Sequence, residues 1–343
     1  MGPHVLALDA EMPVKHAAVP AKHAVAPVKV SVVLPTYNRA ATVGDAIDSV
    51  LRQSHGDFEL IVVDDGSKDA SAERIAQFTD PRIRYVAQQN AGVSAARNRG
   101  VRQARGELVA FLDSDDVWKP EKLATDVAFL DRHADAQAVF SDVEKVDGTL
   151  FVPSFVRETK VFGSFVAEHP ARDGIVIDRR WMLVCLLSEV PILPSTLTMR
   201  RAVYQRLGGF DTSWRCFEDW ELFLRFCRTE RFGYVDQALT VLKISPDSLH
   251  RVLSAVGRTA IIELLVRERK RLRGDQEALE AIRDGILHQR KMMGWEYSAE
   301  GRVSEALLNY LRGFREVRAF ELLMRAATVW IPDSMKTAMR TIC

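Results

Sequence analysis

From Lys29 onward, short and nearly continuous apolar runs alternate with stretches of helical spacing. Val30–Pro35, Phe58–Val63, Ile83–Val86 and Leu108–Leu112 end at polar or turn residues and read as buried strands. Helices are expected over 40–53, 70–78, 93–104 and 120–132. Strands without polar alternation, each followed by a helix, argue for an α/β fold with a mostly parallel sheet covered on both faces. Right-handed crossovers then bring every strand-to-helix loop to one edge of the sheet. That edge collects Pro35-Thr36-Tyr37-Asn38, Asp64-Asp65-Gly66-Ser67 and Asp113-Ser114-Asp115-Asp116, so three separate loops become one candidate site.

The pattern is coarser further on. Pro194–Met199 and Tyr234–Leu242 fit strands, Gly208-Gly209-Phe210-Asp211 fits a tight turn, and Phe217–Glu221 leads into a helix ending near Arg228. Beyond Pro246 the spacing turns helical over 259–273, 276–293, 304–314 and 320–329, with Gly301 and Gly313 between helix pairs, as in a small bundle. Residues 1–28 are biased toward Ala, Val, Pro, Lys and His and read as a flexible tail, its histidines (His4, His16, His23) solvated.

Composition narrows the classes. The 343 residues are 47% apolar and 27% charged, as in an ordinary globular chain with ample core. A net charge of +1 gives no field that calls for nucleic acid. The four cysteines, Cys185, Cys216, Cys227 and Cys343, have no paired spacing and read as reduced, mostly buried thiols. Neither a membrane-spanning run nor a secretory or myristoylation signal is legible, so the expected location is cytoplasmic.

The chemistry concentrates in the loops. Asp113, Asp115 and Asp116 crowd three carboxylates at a strand end, where open α/β sheets bind ligands. Like charges so close raise one another's pKa unless a cation neutralises them. A few hard oxygen ligands suit Mg²⁺ or Mn²⁺ brought in with a phosphate-bearing substrate. A helix N-cap before Lys119-Pro120-Glu121 would account for Asp116 and leave Asp113 and Asp115 unexplained.

Asp64-Asp65-Gly66-Ser67 offers carboxylates to a base or ribose, or is no more than an Asp-Gly turn capped by Ser67. The small residues of Asn90–Ala96 admit an anion to a helix start or merely allow tight packing, and Arg97 can hold a diphosphate in its guanidinium fork. Glu218 and Asp219 complement a helix dipole or supply a general base.

In order along the chain stand Pro35-Thr36-Tyr37-Asn38, Asp64-Asp65-Gly66-Ser67, Ala96-Arg97-Asn98, Gly106-Glu107, Leu112-Asp113-Ser114-Asp115-Asp116, Gly208-Gly209-Phe210-Asp211 and Glu218-Asp219. This set closely resembles the GT-A glycosyltransferases of family 2, inverting bacterial enzymes that use nucleotide-sugar donors. The resemblance covers about Val30 to Leu242. It implies a donor site of Pro35, Thr36, Tyr37, Asn38 and Asp65, with Asp64 behind them, and with Arg97, Asp113, Ser114 and Glu218 toward the sugar and diphosphate. It further implies an Asp-x-Asp element, Asp113 and Asp115, for Mn²⁺ or Mg²⁺, and Asp219 as catalytic base. One departure stands out: Ser245 falls where such enzymes often carry a histidine near the metal, and His250 reads as a helix-start surface residue rather than its replacement.

The implied organisation is a tail (1–28), a GT-A domain (29–245, its 29–142 half binding nucleotide and 143–245 the acceptor) and a C-terminal helical region (246–343). The implied reaction moves a hexosyl group from a UDP-linked donor to a hydroxyl of a glycan or lipid-linked acceptor in polysaccharide synthesis. A sugar-nucleotide pyrophosphorylase would carry a glycine-rich, basic loop where Pro35-Thr36-Tyr37-Asn38-Arg39 stands. A non-catalytic relative would have lost one of the acids, and all are present. The apolar stretch Phe320–Ile331, with Arg312, Arg315 and Arg318 before it and Lys336 and Arg340 after, either closes the bundle or touches an anionic membrane surface peripherally.

Overall fold

The computed structural model describes residues 28–170, 173–243 and 254–329. The first half is the expected alternation: β1 (Val30–Thr36), α1 (Val43–Leu51), β2 (Phe58–Asp64), α2 (Ser71–Ala76), β3 (Ile83–Ala87), α3 (Val93–Gln103), β4 (Leu108–Phe111), β5 (Asp116–Trp118) and α4 (Lys122–Arg132). Then come β6 (Ala136–Asp147), β7 (Leu150–Val152), α5 (Val161–Glu168), β8 (Ile175–Val176), α6 (Arg179–Leu186), β9 (Leu197–Arg200), α7 (Arg201–Leu207), α8 (Glu218–Cys227) and β10 (Arg231–Lys243). The chain continues through α9 (Ser254–Arg271), α10 (Gln276–Ala299), α11 (Val303–Val317) and α12 (Phe320–Ala327).

One sheet runs in the order β3-β2-β1-β4-β9-β6-β10-β5, with β7 beside β6 and β8 beside β10. Its long ladders, β1 with β2 and β4, β2 with β3, and β6 with β10, are parallel. The short antiparallel strand β9 joins the two parallel groups through β4 and β6. β1, β2 and β4 are buried along their whole length, because helices cover both faces and leave no solvent side to alternate toward. Their parallel register carries the loops after Thr36, Asp64 and Phe111 to the same edge.

Two close approaches fix this geometry. A Cβ on Gly100 would lie 2.3 Å from Val33 Cγ1, so α3 can press onto β1 only with glycine there. A Cβ on Gly313 would lie 2.7 Å from Leu322 Cδ1. Gly313 therefore sits inside α11 as a packing residue, not between helices as its spacing implied. Gly301, at φ +73°, does form the turn between α10 and α11. The C-terminal helices belong to the main core: Leu265, Ile286, Tyr310 and Leu322 are buried in one cluster with Phe140, Leu186 and Phe223.

The helix after the acidic loop starts at Lys122, and its cap position, Glu121, makes no side-chain cap bond. Asp116 is instead the first residue of β5, so it is a wall of the site and not the N-cap that its position before Lys119-Pro120-Glu121 suggested. Cys185, Cys216 and Cys227 are buried free thiols, as expected. The tail, Ser245, His250, Lys336, Arg340 and Cys343 lie outside the described residues.

Candidate functional site

A cleft of about 750 Å³ opens over the edge where the loops converge. Pro35, Thr36, Tyr37 and Asn38 form one wall, Asp113, Ser114, Asp115 and Asp116 another, and Glu218 and Asp219 face them from the head of α8. The loops are laced together. Asn38 N–H donates to Ser67 Oγ at 3.0 Å, Lys68 N–H donates to Asn38 Oδ1 at 2.8 Å, and Asp65 N–H donates to Thr36 O at 2.9 Å. Asn38 takes a left-handed φ of 51°, which asparagine tolerates better than most residues. The Thr36 hydroxyl is buried without a partner among the described residues and Tyr37 is exposed, so this wall keeps hydrogen-bonding capacity for a ligand.

The paired aspartates of the second loop divide their work. Asp65 lines the cleft, and its carboxylate accepts the N–H groups of Ala91 (2.9 Å) and Gly92 (2.8 Å) and the Gln88 side-chain amide (2.7 Å). The anion at this helix start is therefore Asp65 itself, which answers the two readings of the small residues Asn90–Ala96. Asp64 does not reach the cleft. Its oxygens accept Ser67 N–H and the Tyr85 hydroxyl, both at 2.8 Å, so it stands behind the cleft wall and shapes the turn.

Arg97 also differs from expectation. It is 3% exposed, with Nη2 2.6 Å from Asp113 Oδ1 and Nη1 2.7 Å from Glu218 Oε1, and its Nε is buried without a partner among the described residues. Both arms of the fork are occupied by carboxylates, so it organises the acids rather than standing free to clamp a diphosphate. Its neighbour Asn98 donates to Phe210 O at 2.8 Å and accepts Phe210 N–H at 2.9 Å, fastening the Gly208–Asp211 turn to α3. The Phe210 ring in turn lies 5.0 Å from the Arg97 guanidinium.

Some of the crowded acids thus have cationic partners within the protein. Besides Arg97, Arg39 Nη2 sits 3.6 Å from Asp115 Oδ2. Ser195 was not legible as a site residue. Its hydroxyl accepts Asp113 N–H at 3.0 Å and donates to Asp116 Oδ2 at 2.5 Å, tying β4's end to β5. Burial, then the charges of Asp113 and Asp115, push the Asp116 carboxyl well above the usual range, and its Oδ1 has no partner. Among the described residues no three His, Cys, Asp or Glu side chains form a group that could hold a metal alone. The hard carboxylate oxygens of Asp113 and Asp115 nonetheless fit Mg²⁺ or Mn²⁺ when phosphate and water complete the coordination.

Asp219 occupies the other wall. Phe217, the residue capping α8, is held at φ +58°, a costly backbone for a bulky side chain, and it turns the chain so that Glu218 and Asp219 enter the cleft. Asp219 Oδ1 accepts Trp220 N–H at 2.8 Å. Burial, then the neighbouring Glu218 charge, push its carboxyl up to about 7, with Arg97 opposing. A carboxylate so placed can take a proton from a hydroxyl at neutral pH.

Residues 31–168 match the family described as Glycosyl transferase family 2. A glycosyltransferase of Nostoc sp. is 42% identical over 194 residues, 55% of this chain and 56% of that protein. The Escherichia coli UDP-Glc:alpha-D-GlcNAc-diphosphoundecaprenol beta-1,3-glucosyltransferase WfgD is 33% identical over 133 residues, 38% of this chain and 52% of the relative. The chain thus spans about half the length of these curated relatives. The crystal structure of S. aureus TarS in complex with UDP-GlcNAc superposes with a TM-score of 0.57 at 21% identity, covering 79% of this chain and 73% of that one. The Pyrobaculum calidifontis mannosyltransferase PcManGT, in complex with GDP-Man and Mn²⁺, gives a TM-score of 0.57 at 18% identity, covering 90% of this chain and 88% of that one. Residues 31–168 thus match the family 2 glycosyltransferases, and the fold is the GT-A fold of these structures, with a helical C-terminal extension.

Proposed function

We propose that the chain is an inverting hexosyltransferase that moves a sugar from a UDP-linked donor to a hydroxyl of a glycan or lipid-linked acceptor, as in the synthesis of cell-surface polysaccharide. The observation that carries this reading is Asp219 at the head of α8, in the same cleft as the acidic loop and the Pro35–Asn38 wall. The donor's nucleoside rests against Pro35, Thr36, Tyr37, Asn38 and Asp65, and its diphosphate against Asp113, Ser114 and Asp115. Asp219 removes the acceptor proton as the acceptor oxygen attacks the anomeric carbon from the face opposite the leaving group, which inverts that centre. The developing charge is oxocarbenium-like. Glu218, held by Arg97, keeps the base in register. Asp113 and Asp115 would hold Mn²⁺ or Mg²⁺, which when bound neutralises the departing diphosphate. The names of WfgD and TarS's ligand support the UDP donor, and WfgD's name supports a lipid-linked acceptor.

In this reading residues 29–142 bind the nucleotide and 143–245 the acceptor, although β6 crosses that boundary and makes the two halves one sheet. The protein works at the cytoplasmic side of a membrane, and no described helix is long and apolar enough to cross one. Calorimetry of UDP binding in chelator and in excess Mn²⁺ tests donor and metal together. Binding that strengthens at least tenfold with metal is expected, and equal affinity in both would refute the metal role. Absence of UDP binding under either condition would refute the donor assignment.

A further inference from the structure

A second concavity, about 370 Å³, lies along α3 outside the cleft. Val93, Ala96 and Arg97 face the cleft, whereas Ala95, Asn98, Arg99 and Arg102 line this groove. The helical repeat turns Ala95, Arg99 and Arg102 away from Val93, Ala96 and Gly100. Gln88, Gln89 and Thr212 complete the walls, and no carboxylate is among them.

The arginines here are unlike their neighbours. Arg82, Arg84, Arg97 and Arg105 each meet an aspartate or glutamate within 3.0 Å. Arg99 and Arg102 form no salt bridge among the described residues, and the Nε of Arg99 is buried without a hydrogen-bond partner. Arg102 is exposed and Arg99 half-buried, and two arginines on an outer helix face would by themselves be ordinary solvation. A buried unpaired guanidinium nitrogen beside an acid-free polar groove is not, because burying a donor unpaired is costly. Guanidinium forks match the paired oxygens of phosphate or carboxylate.

We propose that this groove binds an oxyanion, carboxylate or phosphate, carried by the glycan of the acceptor at a sugar remote from the bond being formed. The proposal rests on the glycosyltransferase reading for the identity of the ligand, since the donor's own diphosphate belongs to the cleft on the other side of α3. The two sites share a wall. The Gln88 side chain and Ala91 N–H, which border the groove, are the groups that hold Asp65 in the cleft. An acidic acceptor seated here would be anchored while its terminal hydroxyl reaches Asp219.

The test is calorimetric titration of the full chain, presaturated with UDP and Mn²⁺, with four probes. These are a glucuronate-containing tetrasaccharide, its neutral methyl ester, a phosphorylated glucose oligomer and inorganic pyrophosphate. At least one of the two acidic oligosaccharides should bind at least tenfold more tightly than the ester. It should also bind at least tenfold more tightly to the native chain than to Arg99→Gln/Arg102→Gln, with UDP affinity and Tm unchanged. Arg102→Glu, a single change at an exposed position, should weaken binding further than Arg102→Gln. Equal affinity of native and double-variant chains, or no binding of either oligosaccharide, overturns the proposal. Binding of pyrophosphate alone overturns the glycan assignment and makes the groove a free-phosphate site. Failure to bind UDP would count against the transferase reading instead, and the titrations run without UDP would still decide the groove.

Discussion

Arg97 in α3 and Glu218 at the head of α8 lie 121 residues apart in sequence and meet at 2.7 Å in a buried ion pair. Because the same guanidinium holds Asp113, one side chain connects the acidic loop to the helix that carries Asp219, the proposed base. Two carboxylates on one buried cation make its removal severe, since each would be left without its counter-charge.

Arg97→Met should therefore cost about 3–5 kcal/mol in denaturant unfolding, the range for breaking a buried pair. Arg97→Lys should recover part of this, because an ammonium cannot span both acids as a fork does. Arg97 also opposes the upward shift of Asp219, so Arg97→Met should move the rising limb of the pH–rate profile to higher pH, and Arg97→Lys, which keeps the charge, should move it less. An unmoved limb would mean that Arg97 and Asp219 are not electrostatically linked.

Asp219 itself gives the sharpest pH signature. Turnover should rise about tenfold per pH unit below about 7 and level above it, because the base must be ionised. Asp219→Asn should keep UDP affinity and lose at least 10²-fold in kcat, the lower end for a positioned base of about 10²–10⁴. Stability should run the other way. The folded carboxyl sits above its unfolded value of about 3.9, so its contribution is fully present below that pH and is lost as pH rises through about 7. Asp219→Asn should then melt a few degrees above the native chain at pH 8 and close to it at pH 4. Equal Tm at pH 8 would place the ordinary carboxylate pKa on Asp219.

The sheet was legible because its buried strands are nearly continuous apolar runs, and the site because its loops follow those strands. What lay hidden has physical reasons. β6 is twelve residues long but broken by Ser141, Asp142, Glu144 and Lys145, which defeats a reading based on apolar runs. Asp142 is buried there because Val143 and Val156 N–H and the Ser154 hydroxyl satisfy it. Asp113 and Asp115 read from sequence as charges awaiting a cation, and the protein's own Arg97 and Arg39 supply two. Ser195 gave no signal, since a serine before a short strand looks like any turn residue. Only the meeting of β9 with β4 puts it under the acids.

Ser195→Ala offers a test of that hidden link. It leaves Asp113 N–H and Asp116 Oδ2 without the shared hydroxyl, at a cost of about 1–3 kcal/mol for each buried group left unpaired. UDP affinity in Mn²⁺ should fall about tenfold while affinity in chelator changes little, because the hydroxyl positions acids and touches no nucleoside. Ser195→Thr keeps the hydroxyl and should restore most of the metal effect. An equal loss with and without Mn²⁺ would point to general loosening of the loop.

On the proposed function, the C-terminal helices would set where the chain stands relative to its acceptor. Both readings of this stretch have a face in the structure. Leu322 and Ala326 close the bundle, while Phe320 (68% exposed) and Met324 (52%) point outward on the same short helix. Leu308 and Leu311 are also exposed on α11, beside Arg312 and Arg315. The local acids are taken: Glu305 by Arg302, Glu316 by Arg290, and Glu321 by Lys291 and Arg325. Arg312 and Arg315 form no salt bridge among the described residues, leaving positive charge beside exposed apolar side chains. That combination suits shallow insertion at an anionic interface rather than a span. The full chain should co-sediment with phosphatidylglycerol-rich vesicles at low salt and be released near 1 M salt, where screening cuts the electrostatic part. Phe320→Ser/Met324→Ser should reduce pelleting severalfold without changing UDP affinity, and Arg312→Gln/Arg315→Gln should do so only at low salt. Pelleting that none of these changes alters, or none at all at low salt, would leave this helix the single task of closing the bundle.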